Sequence, residues 1–369
     1  MDKEQLVATL RLQCIPNVGD VTAKKLIAHC GNAQEVFSNK KTTLLKIEGV
    51  GSYALANLFD GKYLEAAIAE YEYILSDKVE YCYFMDKEYP LYLKHCLDAP
   101  ILLFKRGHMD WGAQKCISIV GTRNMTTYGS AFCERLIADL APLDPIIISG
   151  FAYGVDICIH RAAVKNGLQT IGCLAHGLNQ IYPKVHSRYM ADVERNGGFM
   201  TEFWSSSEPE RENFLKRNRI IAGMGEATIV IESAEKGGSL VTADIANGYN
   251  RDVFAVPGRT DDPYSKGCND LIKQHKAHMI TSAADLIYIM GWELDSGEGS
   301  APLVQKKLFV ELDPHEQIIH SYLQREGKQL LDTIALECQM PVFKVSSLLI
   351  NMEMKGVIRP LPGKLFEAI

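Results

Sequence analysis

Five short, almost continuous apolar runs alternate with helical periodicity in the middle of the chain, and they constrain the fold more than any other feature. They span residues 116–121, 146–150, 170–175, 227–233 and 252–258. Strands that are apolar along their whole length are typical of parallel sheets, whose crossover helices cover both faces. Residues 115–291 are therefore predicted to form a doubly wound α/β domain with an extended Rossmann-type parallel sheet.

The flanking segments have other patterns. Residues 1–70 are predicted to be a small helical domain in which a glycine turn before an apolar helix occurs twice, like a pair of helix-hairpin-helix motifs in a SAM-like module. Residues 71–114 contain two spaced prolines and are predicted to be an extended connecting segment. Residues 292–307 have the composition of a linker, and residues 308–369 have the pattern of a winged helix.

Composition limits the possible functions. The 369 residues are 47% apolar and 23% charged, which is typical of folded proteins with two or three domains. A net charge of −6 disfavours a protein that coats nucleic acid with its whole surface, so any phosphate site must be local. The ten cysteines are scattered singly without a CxxC pair, so no metal site is predicted. Neither a signal peptide nor a membrane span is recognisable, and a cytoplasmic location is expected.

A basic cluster precedes the fourth apolar run. Arg211, Lys216, Arg217 and Arg219 lie within nine positions, and Phe214 stands among them. Cations can hold phosphates while an aromatic ring stacks on a base, so the cluster suggests nucleic-acid binding. A solvated helix start with the aromatic ring in the core is an equally good interpretation of the cluster alone.

The loops after the predicted strands favour the first interpretation, because ligands of open parallel sheets bind at the carboxyl ends of the strands. These loops hold glycines that allow close approach, hydroxyl groups that can donate hydrogen bonds, and cations. The residues concerned are Gly121, Thr122, Arg123, Ser149, Gly150, Lys184, Gly237, Gly238 and Ser239. Neither GxGxxG nor GxxxxGK[ST] occurs there, so no nucleotide cofactor is predicted. Phosphate sites without that fingerprint suggest a polymer backbone.

Two other groups of residues have competing interpretations. Asp156 and His160 are four residues apart on a predicted helix and could be an acid/base pair, but a buried hydrogen bond that ties this helix to its strand is favoured. Glu202 could likewise be either an acid/base group or a buried structural residue. A nucleotide hydrolase related to the phosphoribohydrolases, using Glu202 or Asp156, is the second hypothesis for the function.

The terminal segments are predicted to contribute little phosphate binding. In the helical segment, Asp20 and Glu48 put negative charge where a phosphate would sit, so packing is favoured over duplex binding. Residues 308–369 carry six Lys/Arg against eight Asp/Glu, a net charge of −2. A duplex-binding transcription regulator is therefore a third and weaker hypothesis, and a protein-contact or regulatory role is expected for the winged helix.

Seven segments resemble the DNA-processing protein A family (DprA, also called Smf), and the resemblance covers nearly the whole chain. In order, they read YPLYLKHCLDAPILLFKRG, SIVGTRNMTTYG, SGFAYGVDICIHRAA, GLNQIYP, RNRIIAG, GGSLVTADIA and VFAVPGR followed by SKGCNDLI. The resemblance implies a non-enzymatic, single-stranded-DNA-binding recombination mediator. Such a protein would protect incoming DNA during natural transformation, help to load the RecA recombinase, and dimerise through its Rossmann-type domain.

Carried over by position, the resemblance implies a DNA pocket on that domain. Its members would be Arg123, Lys184, Arg211, Phe214 as the stacking aromatic, Arg217, Asn218 and Arg219, with Gly237, Gly238 and Ser239 lining it. The sequence departs from the family pattern at two places. Leu215 stands where a proline usually follows the aromatic residue, and Gly237–Gly238 replaces a serine before the GSL triplet.

Overall fold

The computed structural model describes residues 1–112, 115–292, 312–361 and 363–368. The chain divides into two compact units, Met1–Met279 and Ile280–Ile369. Of the linker predicted at 292–307, residues 293–307 lie outside the described residues.

The first unit is built on one sheet, which has nine strands within the described residues. The strands are β1 (Glu80–Tyr83), β2 (Leu102–Gly107), β3 (Cys116–Gly121), β4 (Ile146–Ser149), β5 (Thr170–Cys173), β6 (Gly197–Thr201), β7 (Ala227–Ile231), β8 (Asp252–Ala255) and β9 (His278–Met279). All five strands predicted from apolar runs are present. Strands β4, β5 and β7 are buried along their whole length, as continuous apolar runs require.

The strand order is β1-β2-β6-β5-β4-β3-β7-β8-β9. From β3 the chain adds β4, β5 and β6 on one side, then returns to add β7, β8 and β9 on the other, and these pairs are parallel. The order reverses at β3 and β7, so their carboxyl ends border a crevice, the usual ligand position of this topology. The predicted doubly wound Rossmann-type fold is confirmed.

Helices cover both faces of this sheet. After β1 the chain forms α6 (Leu91–Lys94), α7 (Thr127–Leu140), α8 (Val155–Lys165), α9 (Ser187–Arg195), α10 (Arg211–Met224), α11 (Gly238–Gly248) and α12 (Lys266–Lys273). Apolar side chains of α6, α10, α11 and α12 share one core with the sheet. The opposite face packs on α8 and α9, and α7 packs on α8.

The N-terminal segment is helical, as predicted. It comprises α1 (Lys3–Cys14), α2 (Asp20–Cys30), α3 (Ala33–Ser38), α4 (Lys41–Leu44) and α5 (Gly61–Ser76). Helix α2 begins directly after the first predicted glycine turn, whereas the second turn is followed by turns over residues 52–59 rather than by a regular helix. Leu6, Val7 and Leu10 of α1 share a core with β1, β2 and β6, so the segment packs on the sheet.

Residues 71–114 differ from the extended connection that the two prolines indicated. They contain the end of α5, the short helix α6, and strands β1 and β2, which pair antiparallel with each other while β2 pairs antiparallel with β6. The prolines lie outside the strands, where they leave the ladder hydrogen bonds intact. This segment therefore extends the sheet rather than linking two domains.

Strand β6 was absent from the strands predicted by sequence. It begins with Gly197 and Gly198, residues that weaken an isolated strand. Both have positive φ, and a Cβ atom would lie 2.3 Å from Thr170 O at Gly197 and 2.1 Å from Arg106 O at Gly198. The glycines are thus required by the close approach of the strands on either side.

The second unit has its own apolar core. Its elements are α13 (Ala283–Met290), α14 (Pro314–Glu326), β10 (Gln329–Leu330), α15 (Leu331–Glu337), α16 (Val342–Lys355), β11 (Ile358–Leu361) and β12 (Leu365–Ala368), with a sheet in the order β10-β12-β11. Asp313 and Glu316 form a capping box at the start of α14. The order of α14, α15 and α16 followed by the wing strands β11 and β12 confirms the predicted winged helix.

Candidate nucleic-acid interface

A cleft of about 770 Å³ lies at the carboxyl ends of β3 and β7. Its walls come from the loops after β3, β4 and β7 and from the first half of α10. The crevice at the strand-order reversal is thus open, in the position where doubly wound sheets bind their ligands.

The cleft has a strongly positive lining in an acidic protein. Among the described residues, four cationic side chains line it, those of Arg123, Arg211, Arg217 and Lys236, against the carboxylate of Asp156. The whole chain carries a net charge of −6. Because a cleft with low-dielectric walls focuses the field of its own charges, this surface attracts anions even though the protein as a whole repels them.

Phe214 lies among these cations. The Arg123 and Arg217 guanidinium carbons lie 5.2 and 5.8 Å from its ring centroid, and the ring of Tyr182 lies 5.7 Å away at 60°. The Phe214 side chain is half-buried, so part of the ring surface remains available in the cleft. Cations over an aromatic face hold the ring in place and put positive charge beside a stacking surface.

Arg217 forms the floor of the cleft. It is only 4% exposed, and its guanidinium donates a hydrogen bond to the carbonyl of Cys173 at the end of β5. Burial lowers the pKa of Arg217, while the neighbouring Asp156 opposes that shift. A Cβ atom on Gly150 would lie 2.3 Å from Asp156 Oδ2 and 2.8 Å from Arg217 Nη1. Gly150 therefore makes room for this pair of side chains.

The loop after β3 is held by Glu232, which follows β7. Its carbonyl accepts a hydrogen bond from Thr122 N at 2.8 Å, and its carboxylate accepts from Thr126 N at 2.9 Å and from the Thr126 hydroxyl. Glu232 is buried and has a φ of 52°, a left-handed conformation that is rare outside glycine and asparagine. These bonds fix the backbone that carries Arg123 over the cleft.

Helix α11 points its N-terminus into the same space. It begins after Gly237, and Gly238 and Ser239 are its first residues, all three lining the cleft. A Cβ atom on Gly238 would meet nothing within 4 Å, so this backbone faces open space. The N-terminal amide groups and the positive end of the helix dipole add to the anion preference of the cleft.

The structure brings most of the predicted site residues together. Those that line the cleft are Gly121, Thr122, Arg123, Arg211, Phe214, Arg217, Asn218, Gly237, Gly238 and Ser239. Ser149, Gly150 and Lys184 are not among the lining residues. The buried Ser149 hydroxyl donates to Ile119 O at 2.6 Å, and exposed Lys184 begins a 3-10 turn after β5, so these two residues have other surroundings.

Arg219 also lies outside the cleft, contrary to the prediction. It is buried on the other side of α10, where its guanidinium contacts Glu202 Oε2 at 2.5 Å, Asp20 Oδ2 at 3.1 Å and the carbonyl of Asp98. Two residues along a helix rotate a side chain by about 200°, so Arg217 and Arg219 face opposite ways. Arg219 links α10 to the N-terminal segment and to the end of β6.

The sequence analysis missed polar and aromatic residues that line the cleft, among them Asn124, Tyr182 and Lys236, and it missed Glu232, which supports the loop after β3. Lys236 and Asn124 line the cleft beside predicted residues and were within reach of the loop argument. Tyr182 and Glu232 had weaker signals. Tyr182 directly precedes Pro183, and Glu232 is a charged residue directly after a mostly apolar strand, but neither pattern reveals the partner across the cleft.

The residues considered for hydrolysis do not converge on one site. His160 Nε2 donates to Gly150 O at 2.5 Å and Nδ1 lies 2.7 Å from Thr170 Oγ1, so it ties α8 to the end of β4 and to the start of β5, as favoured from the sequence. Asp156 lines the cleft, whereas Glu202 lines a different cavity on the other side of α10. Burial raises the pKa of both carboxyl groups, and nearby cations oppose the shift. Two carboxylates in separate cavities cannot act on one bond.

The described part of the chain holds no group of three or more His, Cys, Asp or Glu residues that could bind a metal ion. Within the same residues no single helix has the length and apolar composition to cross a membrane. Helices α15 and α16 reach that length and composition only when they are taken together, and they are bent by 110° relative to each other.

Comparisons with family models, with known protein sequences and with solved structures all identify the same family. Residues 80–291 match the family model of DNA recombination-mediator protein A, and residues 310–364 match the DprA winged helix domain. The DNA processing protein DprA of Bacillus subtilis strain 168 is 39% identical over 201 residues, which are 54% of this chain and 67% of that protein.

The solved structures that resemble this one include two proteins of the DNA processing protein A name. DNA processing protein A of Streptococcus pneumoniae superimposes with a TM-score of 0.67 at 30% identity, covering 78% of this chain and 98% of that one. The Helicobacter pylori protein of the same name, studied for its single-stranded DNA binding mode, has a TM-score of 0.51 at 27% identity, covering 57% and 94%. The resemblance seen in the sequence motifs is confirmed, and the chain belongs to the DNA recombination-mediator protein A family.

Proposed function

We propose that this protein binds single-stranded DNA in the cleft at the ends of β3 and β7 and acts there as a recombination mediator. The observation that carries the proposal is Phe214, half-buried and flanked by Arg123 and Arg217, in a cleft whose described lining holds four cations and one carboxylate. The cations neutralise phosphates, and the ring stacks on a base.

The geometry favours single strands over duplex DNA. Phe214 lies inside a crevice between α10 and the strand ends, so a base must leave its neighbours to reach the ring. Unpairing costs a few kcal/mol in a duplex and nothing in a strand that is already single. A similar family member from Helicobacter pylori binds single-stranded DNA, which supports the assignment.

The wider role follows from family membership. We propose that the protein protects incoming strands during natural transformation and helps to load RecA, that it dimerises through the first unit, and that it works in the cytoplasm. We also propose that it is not an enzyme, because Asp156 and Glu202 line separate cavities and His160 is engaged in structural hydrogen bonds.

The winged helix supports a different role from DNA binding. Its third helix, α16, exposes the apolar side chains of Phe343 (78%), Ile350 (57%) and Met354 (81%). The two cations of α16 are engaged, Lys344 with His315 and Lys355 with Glu316. An apolar helix surface contacts protein better than phosphate, so we propose a protein-contact role for this unit.

A salt-titrated binding assay tests the proposed function. Equal lengths of single- and double-stranded DNA and a nucleoside monophosphate are compared, and single strands are expected to bind most tightly, with an affinity that falls steeply as salt rises. Arg123→Ala should weaken binding of every sequence and lower the salt slope by about 0.7, because one phosphate contact is lost.

Arg195→Ala is the matched control for that variant, since Arg195 is 74% exposed on α9 and pairs with Asp192 outside the cleft. An unchanged affinity in the Arg123 variant would contradict the site assignment. Release of free base from the nucleotide would instead favour the hydrolase.

A further inference from the structure

A second cavity of about 290 Å³ lies between the N-terminal helices and the end of β6. Its apolar walls are Leu12 and Val18 of the N-terminal segment and Ile101, with Phe203 and Trp204 after β6. The Trp204 indole donates to Gln13 Oε1 at 3.1 Å, which holds its ring in place. Flat aromatic surfaces and aliphatic walls favour an uncharged, partly apolar occupant.

The polar groups of this cavity are balanced in charge. Glu202 is 6% exposed, and its Oε2 contacts Arg219 at 2.5 Å and Lys216 at 3.0 Å. Asp20 is the second carboxylate and pairs with Arg219 at 3.1 Å. Two carboxylates therefore face two cations, and the site has no net charge with which to select an ion.

One acceptor in this network is unused. Glu202 Oε1 is buried and has no hydrogen-bond partner among the described residues. A buried carboxylate oxygen without a donor costs free energy comparable to a lost hydrogen bond. An occupant that donates one hydrogen bond to Glu202 would therefore be favoured over one that cannot.

Lys216 connects this cavity with the DNA cleft. It is 53% exposed and follows Phe214 by two positions, so it faces the opposite side of α10. Arg211, also exposed, lines the cleft at the first turn of α10. A strand that leaves the cleft over the start of α10 meets cations along this route and reaches Lys216 after crossing a helix about 10 Å wide.

We propose that the second cavity receives one unpaired nucleobase of the bound strand, whose exocyclic amino group donates to Glu202 while Lys216 contacts its phosphate. The proposal rests on the proposed function. Adenine, cytosine and guanine carry an exocyclic amino group and thymine has none, so the cavity discriminates against thymine at one position of the strand.

The test uses a single 2-aminopurine, which carries such an amino group, moved through successive positions of an oligothymidylate bound to the full chain. One register is expected to give a distinct fluorescence change as the base stacks against Trp204. Gly19→Leu should abolish that change, because Gly19 lines the cavity and a Cβ there meets nothing within 4 Å. Gly19→Ser, which adds little volume and caps α2 well, is the control that should keep it.

Affinity gives a second readout. In the responsive register, wild type should bind adenine more tightly than thymine by on the order of tenfold, and Gly19→Leu should remove the difference. Thermal melting of both variants checks that the fold is retained.

The outcomes separate this proposal from the function on which it rests. Wild type that fails to bind single strands would overturn the proposed function. If wild type binds them with the same fluorescence response in every register, or with a response that Gly19→Leu leaves unchanged, the proposal for the second cavity is wrong and the proposed function still stands. Deoxyadenosine added by itself distinguishes the source: binding that Gly19→Leu abolishes, with no response from the strand, would replace the strand-borne base by a free nucleoside.

Discussion

At the scale of single residues, the site is organised around one aromatic ring and the cations that hold it. Phe214 contacts Arg123 from the loop after β3 and Arg217 from its own helix. Under the proposed function both arginines stay beside the ring and neutralise phosphates, so that stacking and charge neutralisation act at one point.

Phe214→Ala is expected to weaken single-strand binding by about 1–3 kcal/mol, the usual loss when one stacked base loses its platform. Fluorescence anisotropy at moderate salt measures it. Phe214→Trp keeps a stacking face and should retain most of the affinity, and Tyr288→Ala removes an aromatic side chain that is 84% exposed outside the first unit. Equal affinities of wild type and Phe214→Ala would disprove the stacking role.

Arg219 should behave unlike Arg217 although both belong to the same basic cluster. Arg219→Ala leaves Glu202 buried with Lys216 as its remaining partner, so unfolding free energy should fall by about 3–5 kcal/mol. Urea unfolding measures the loss. At a temperature where the variant is folded, its affinity for an oligothymidylate should change less than that of Arg217→Ala. A larger loss of affinity in Arg219→Ala than in Arg217→Ala would instead place Arg219 in the proposed DNA site.

His160 makes stability depend on pH. Burial lowers its pKa from 6.5 to about 4, so the unfolded chain binds the proton more readily than the folded chain. The contribution of neutral His160 to the unfolding free energy is fully present above pH 6.5. It is lost as pH falls toward 4, at up to about 1.4 kcal/mol per pH unit.

The comparison that isolates His160 is urea unfolding of wild type and His160→Gln across that range. Their difference in unfolding free energy should shrink as pH falls. Asp156 and Glu202 have raised pKa values and act in the opposite sense, and the comparison with His160→Gln cancels them. A difference that is constant with pH would show that His160 does not titrate this way.

At the scale of elements, helix α10 separates the cleft from the second cavity. Its cleft side carries Phe214, Arg217 and Asn218, and its other side carries Lys216 and Arg219. Leu215, where the family usually has proline, lets the helix begin at Arg211, because a proline at its fifth position would clash with the carbonyl four residues earlier.

Leu215→Pro should therefore shorten α10 by its first turn and lower the unfolding free energy by up to about 3 kcal/mol. Hydrogen exchange should show faster exchange of the amides of residues 211–214. Leu215→Ala is the matched control, since the leucine is 47% exposed and alanine keeps the helix. Unchanged protection of these amides in the proline variant would contradict the claim that Leu215 allows α10 to begin at Arg211.

At the scale of the whole molecule, the proposed DNA-binding cleft lies within Met1–Met279 and the winged helix lies in the other unit. A chain that ends at residue 292 should therefore keep single-strand affinity within about tenfold, equal to 1.4 kcal/mol. Anisotropy with matched melting curves measures it. A larger loss in a folded truncation would assign DNA contacts to the winged helix and revive the duplex-binding hypothesis.

The local patterns of the sequence determined the core of the fold and most of the site. Continuous apolar runs specified β3, β4, β5, β7 and β8, since such runs are stable only when both faces are covered. Loops at the ends of parallel strands meet at one edge, so the glycines and cations after β3 and β7 could be assigned to one cleft, whereas Gly150 and Lys184 after β4 and β5 do not line it. The order of the seven sequence motifs was enough to identify the family.

Tertiary structure alone decided which side chains of one cluster face the cleft and which distant residues join them. Arg217 and Arg219 are indistinguishable by composition, and the environment on each side of α10 separates them. Tyr182 and Glu232 reach the site by packing between segments far apart in the chain. Strands β1, β2 and β6 depend on partners across the sheet. Short-range periodicity reports which residues are buried, whereas the partner of a buried or charged group is set by topology.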